Sequence, residues 1–212
     1  GEIRRGSDYW YRFREQVPAP EEKIPSLAQV FELVESMGAG EVRFNLETKT
    51  YPPFPQYTID HGEFVDLVLA SIRRHGVEPR VSIQSFDWRT LSAVKELAPE
   101  IPVVCLTVRS FSIDGAWYNL QPGGEGASPW LDGLDFDDYP GAAALVHGFG
   151  ADVFSPYYRE IDATDVEEAH RLGLKVIPWT VNDRRVMKRL IGWGVDGIIT
   201  DVPDLLLRVL EE

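Results

Sequence analysis

Glu47 and Lys49 are the residues whose types and spacing first suggest chemistry. They stand two apart at the end of Val42-Arg43-Phe44-Asn45-Leu46-Glu47-Thr48-Lys49. Residues i and i+2 of a strand point to the same side, so a carboxylate and an ammonium project together beyond the strand end. The ammonium could neutralise an anionic oxygen. The plain alternative is a salt bridge at a strand tip, worth little where exposed. A Schiff base on Lys49 is disfavoured, because Glu47 on the same face keeps the amine protonated. Further polar or aromatic residues close the other apolar runs: Gln84 and Ser85, Thr107, Tyr157, Trp179 with Asn182, and Thr200 with Asp201.

The elements that must position these residues alternate along the chain. Val42, Phe44 and Leu46 interleave with Arg43 and Asn45, the period of a strand. Ahead of them, residues 1–25 look like a connecting segment. Ser26 with Gln29 forms a capping-box pattern before a helix with Leu27, Val30, Phe31 and Val34 on one stripe, closed by Gly38 and Gly40. After the strand comes the rigid aromatic loop Tyr51-Pro52-Pro53-Phe54-Pro55. A helix over 61–75 follows, with Gly76 as its C-cap. The periodicity then predicts strands at 80–86, 102–108, 153–157, 175–181 and 197–200. Helices are predicted at 88–97, 142–149, 165–172, 184–193 and 204–210. The segment 109–138 interrupts this rhythm with glycines, prolines and the aromatics Phe111, Trp117, Tyr118 and Trp130. A loop of that length is functional or mobile.

Strand–helix alternation predicts an α/β fold with a parallel sheet in one domain over 1–212. No Gly-x-Gly-x-x-Gly follows a strand, so dinucleotide binding is unsupported. Polar residues at nearly every strand end favour a (β/α)8 TIM-barrel type, whose sites are built from several strand ends on one face. Six of its eight strand–helix units are found, so either two lie upstream of Gly1 or the sheet is open.

The net charge of −13 argues against nucleic acid as a partner. No apolar run reaches the ~18 residues of a membrane span. Cys105, inside Val103-Val104-Cys105-Leu106, reads as a buried small hydrophobe. The chain does not start with Met, and targeting segments could have been removed.

Asn45-Leu46-Glu47-Thr48-Lys49 resembles the Asn-x-Glu-x-Lys element of the glycerophosphodiester phosphodiesterase family. Four more pieces agree in order: Ile24-Pro25-Ser26-Leu27, then Val81 to Asp87, then Pro178 to Asn182, then Gly194 to Asp204. The resemblance implies a (β/α)8 barrel that hydrolyses a small-molecule glycerophosphodiester to an alcohol and sn-glycerol 3-phosphate, with Ca2+ or Mg2+ as cofactor. It implies Glu47 as a metal ligand, Lys49 as a phosphate contact and Trp179 in the substrate pocket, with Tyr157 as a pocket candidate and Gln84 and Ser85 either lining the pocket or supporting the groups that do. The family's His-Arg pair, Glu-x-Asp pair and second catalytic histidine have no counterpart here; those motifs belong before residue 1. Asp201 is expected to cap the last helix, and His75 and His170 to face helix C-termini. The branch it most resembles favours a periplasmic or secreted bacterial protein, with the cytosol left open. Unpaired barrel edges would favour a homo-oligomer. The competing reading is a non-catalytic relative that binds a partner.

Overall fold

β1 (Phe44–Glu47) forms where Phe44 and Leu46 alternate with Asn45 and Glu47. It opens a parallel sheet that continues through β2 (Val81–Ser85), β3 (Val103–Thr107), β4 (Val153–Pro156) and β5 (Lys175–Val176). This computed structural model describes residues 4–12, 17, 19, 21–109, 119–124 and 126–212. The chain divides into two units, Gly1–Val42 and Arg43–Glu212.

The first unit holds two helices. α1 (Asp8–Arg12) lies inside the stretch expected to be a connector; its Trp10 amide donates to the Ser7 hydroxyl at 3.1 Å. α2 (Leu27–Ser36) carries the expected capping box. The Gln29 amide donates to Ser26 Oγ (3.3 Å), and the Ser26 amide donates to Gln29 Oε1 (2.8 Å).

In the second unit, α3 (His61–His75) starts on the Asp60 carboxylate and ends at Gly76. There φ of +64° is a conformation that costs glycine little and other residues more. Five more helices follow: α4 (Trp88–Leu97), α5 (Ala142–Phe149), α6 (Ala163–Arg171), α7 (Arg184–Gly192) and α8 (Pro203–Leu210). α4 packs on β2, β3 and α3; α6 packs on β5 and α5; α7 packs on α8.

Sheet order follows chain order, β1-β2-β3-β4-β5, with every pair parallel. A doubly wound sheet reverses direction at a switch point; this one does not. It is therefore an arc of a barrel, open between β1 and β5 among the described residues. The register pairs Glu47 with Gln84, Gln84 with Val104, Leu106 with Ser155 and Tyr157 with Trp179. Those side chains share one face, while Ile83, Cys105 and Phe154 lie on the other.

Two predicted strands differ from expectation. β5 stops at Val176 because the next ladder bond, to the Ile177 carbonyl, would have to come from Pro156, which has no N–H; the Ser155 hydroxyl donates there instead (2.6 Å), and pairing resumes as the bridge between Tyr157 and Trp179. Residues 197–200 form no regular strand. The Ile199 amide donates to the Pro178 carbonyl (3.0 Å) and the Val181 amide to the Ile199 carbonyl (2.9 Å). Those partners on the neighbouring segment are three residues apart, where a regular parallel ladder brackets two, so the pairing is bulged.

The segment 109–138 is less loose than its composition suggests. Phe111, Gly115, Trp117 and Tyr118 lie outside the described residues. The rest folds back on the strand ends, with Leu120, Trp130 and Leu131 buried. Asn119 acts as a clip: its Oδ1 accepts from the Val108 amide (2.9 Å), and its Nδ2 donates to the Leu106 carbonyl (2.8 Å).

On the opposite, N-terminal edge of the sheet, Asp196 Oδ2 accepts from the Val176 amide (2.8 Å) and pairs with His170 Nε2 (2.9 Å). His170 thus meets a carboxylate beyond its helix end. Burial pushes the Asp196 carboxyl up, but the Val176 amide, His170 and Lys175 more than offset it and hold it below its ordinary value. A lowered folded value means the contribution is full above the unfolded value of about 4 and fades as pH falls through the folded one. Asp196→Asn should therefore destabilise at pH 6, with the gap to the parent chain closing below about pH 4. Urea unfolding at pH 6 and pH 3 measures it, and a gap independent of pH would remove the linkage.

Candidate functional site

Parallel strands bring their C-terminal ends to one edge, and the chemistry-bearing residues gather there. Glu47 Oε1 and Lys49 Nζ are 3.9 Å apart, with the lysine side chain 72% exposed and the glutamate 32%. The ammonium is therefore presented to solvent rather than consumed by a tight ion pair. Next to them on the shared face, Gln84 is nearly buried. Its Oε1 accepts from Asn45 Nδ2 (2.7 Å), and Asn45 Oδ1 accepts from the Ser82 hydroxyl (2.9 Å).

The intervening threonines hold this tip in place. Thr48 and Thr50 alternate with Glu47 and Lys49, and both are buried. The Thr48 amide continues the ladder to the Gln84 carbonyl (3.0 Å), and its hydroxyl shares a hydrogen bond with that of Thr90 (2.7 Å). The Thr50 hydroxyl donates to Asp87 Oδ2 at 2.6 Å. Asp87 is wholly buried and takes both nitrogens of an Arg89 fork, Nε at 2.8 Å and Nη2 at 2.7 Å. It also caps α4 by accepting from the Arg89 amide. That carboxylate raises the pKa of the Arg89 guanidinium, first through the side-chain hydrogen bonds. The alternation Glu-Thr-Lys-Thr was the available sign that one side of this tip is exposed and the other anchored.

Ser85 takes the supporting place of the two expected for this pair, rather than one in the cleft. It neighbours Gln84 on a strand and so faces the other way, fully buried. Its hydroxyl donates to the Thr48 carbonyl (2.7 Å) and accepts from the Asp87 amide (3.0 Å). It braces the tip from behind.

At the ends of β2, β4 and β5 stands an aromatic wall. Trp179 meets Phe86 edge-on (5.2 Å, 88°) and Tyr157 at 5.2 Å, and its indole N–H donates to the Ser155 carbonyl (3.0 Å). Phe86 was not singled out from the sequence. Burial pushes the pKa of the Tyr157 hydroxyl above its ordinary value. Arg109, a second cation at the end of β3, is occupied by Glu160, whose carboxylate accepts from its amide and whose carbonyl accepts from its guanidinium. Asp201 does not cap α8, whose N-cap is Val202; its carboxylate accepts from Asn182 Nδ2 at 2.8 Å. All four histidines lie in helices: His61 and His75 in α3, His147 in α5 and His170 in α6.

A hard divalent cation takes six or more oxygen ligands, several of them carboxylates. Among the described residues no group of three or more His, Cys, Asp or Glu could hold one. Glu47 alone, beside an ammonium, does not make such a site.

The glycerophosphoryl diester phosphodiesterase family profile matches residues 3–205. The chain belongs to this family. A glycerophosphodiester phosphodiesterase of Caldanaerobacter subterraneus subsp. tengcongensis is 29% identical over 195 residues, 90% of this chain and 63% of that one. One of Bacillus subtilis is 26% identical over 193 residues, 88% of this chain and 54% of that one. This glycerophosphoryl diester phosphodiesterase family member thus spans little more than half the length of the curated relatives it matches. Among solved structures, a Silicibacter pomeroyi protein named after the same activity has a TM-score of 0.81 at 29% identity, covering 100% of this chain and 64% of its own. An Oleispira antarctica phosphodiesterase, solved in complex with its product sn-glycerol-3-phosphate, shares the fold with a TM-score of 0.64 at 18% identity, over 89% of this chain and 62% of its own.

Proposed function

We propose that the protein carrying this chain hydrolyses glycerophosphodiesters to an alcohol and sn-glycerol 3-phosphate. The observation that carries this is the solvent-facing Lys49 ammonium, held beside Glu47 on a strand tip that buried threonines pin from behind. A phosphodiester is anionic, so attack on phosphorus is helped by a fixed cation that meets charge developing on a non-bridging oxygen. Lys49 supplies that cation. The Tyr157 hydroxyl is a neutral donor at the same edge, and Trp179 with Phe86 offers an apolar wall for the glycerol carbons. Glu47 is the carboxylate that a Ca2+ or Mg2+ ion would reach here. Its other oxygen donors would come from outside the described residues, and so would the group that protonates the leaving alcohol.

Release of sn-glycerol 3-phosphate from glycerophosphocholine, with and without Ca2+ or Mg2+, tests the reading. Turnover that falls on the order of 100-fold in Glu47→Ala supports it. The histidines in helices and the lone Glu47 favour a second reading, a family member that binds without turnover. Binding of glycerophosphocholine with no release under any metal condition selects that one, and neither binding nor release sinks both.

A further inference from the structure

Residues 50–59, which follow Lys49 directly, carry no charged side chain in a chain of net charge −13. A row of aromatic rings stands there instead. Tyr51 stacks on Phe54 (5.5 Å, 13° between planes), and Phe54 stacks on Tyr57 (5.8 Å, 28°). The inner end is anchored where Tyr51 meets the buried Trp130 edge-on at 5.7 Å. Prolines at 52, 53 and 55 set φ along the loop, and Pro55–Tyr57 winds into a 3-10 turn, so the stack is rigid before any ligand arrives. The outer end is open, with Phe54 43% and Tyr57 74% exposed.

We propose that this row is a subsite for an aliphatic chain attached to the phosphodiester, so that the protein takes acylated or alkylated glycerophosphodiesters as single molecules. The inference deepens the function proposed above and rests on it for the phosphate end. With phosphate at Lys49, the rest of the substrate must leave along the rim, and the row begins two residues beyond that lysine. Offset-stacked rings set side by side in this way form one continuous apolar strip along which an extended chain can lie. The three rings stand in a row rather than converging around one point, so a quaternary ammonium, which is held by several ring faces around it, finds no cage. Methylenes covering residues 50–59 displace water from neutral surface, without the penalty of burying a charge.

Isothermal titration of the 212-residue chain distinguishes the occupants. The ligands are glycerophosphocholine, its 1-dodecanoyl derivative and dodecyl maltoside, both amphiphiles below their critical micelle concentrations, and phosphatidylcholine vesicles. The acylated diester should bind about tenfold tighter than glycerophosphocholine or better, as burying roughly two methylenes would supply. The double variant Phe54→Ser/Tyr57→Ser should bring that ratio to about one, and Tyr57→Ser alone should lower it part of the way. Equal affinities for the two diesters, a ratio the double variant does not change, or binding to vesicles only would each overturn the subsite. If neither diester binds but dodecyl maltoside does, in a manner the double variant abolishes, the aliphatic subsite is upheld and the phosphodiester reading falls.

Discussion

Replacing Asp87 with alanine should destabilise the chain by about 3–5 kcal/mol, the range for breaking a buried charged network from one side. The substitution removes the partner of the Thr50 hydroxyl, both arms of the Arg89 fork and the cap of α4 in one step. Thr50 is buried, so its hydroxyl would lose its acceptor without gaining water. Arg89 is 32% exposed and can turn partly to solvent, which places the expectation toward the lower end of the range. Thr50→Val removes one spoke only and should cost about 1–2 kcal/mol. Urea unfolding measures both. A loss under about 1 kcal/mol for Asp87→Ala would mean that the tip is held by the ladder bond from Thr48 and not by this carboxylate.

Lys49→Ala should behave in the opposite way. Its side chain is 72% exposed and its partner lies 3.9 Å off, so the ion pair adds little to folding, within about 0.5 kcal/mol. In the proposed hydrolysis, however, the ammonium meets charge that grows on phosphoryl oxygen. Turnover by the protein carrying this chain should therefore drop on the order of 100- to 1,000-fold, the scale seen when one preorganised electrostatic contact is removed. Lys49→Arg keeps the charge and should recover part of that loss. Rate measurements alongside thermal unfolding separate the two effects. Unchanged turnover in Lys49→Ala would take the lysine out of the reaction, and a parallel loss of stability would make it structural.

These two residues also mark what a reader of the sequence alone can see. The alternation around Phe44 and Leu46 was plain, because a strand with one apolar face repeats every second residue. The caps at Ser26 and Gly76 were legible for the same local reason. Asp87 was not, because Thr50, thirty-seven residues away, reaches it only once β1 and β2 are paired in register. Leu120, Trp130 and Leu131 were hidden by their surroundings: irregular spacing among glycines and prolines carries no period, yet all three are buried. The candidate site residues all reach one edge of the sheet, but Ser85 lies on the opposite face of β2 from Gln84. Strand alternation alone could have separated Gln84 from Ser85, since neighbours cannot both face the cleft.

The bulged pairing at 178–181 has a consequence for how one segment serves two surfaces. Trp179 and Val181 are two apart and would share a side in a regular strand. Here Trp179 stands with Phe86 and Tyr157 at the mouth, while Val181 is fully buried with Met187, Leu190 and Val209 beneath α7 and α8. The extra residue works as a half-turn in the chain, handing the strand from the cleft to the helical layer. Deleting Thr180 would restore simple register and force a choice between the wall and the core, so this position is sensitive to length more than to side-chain identity.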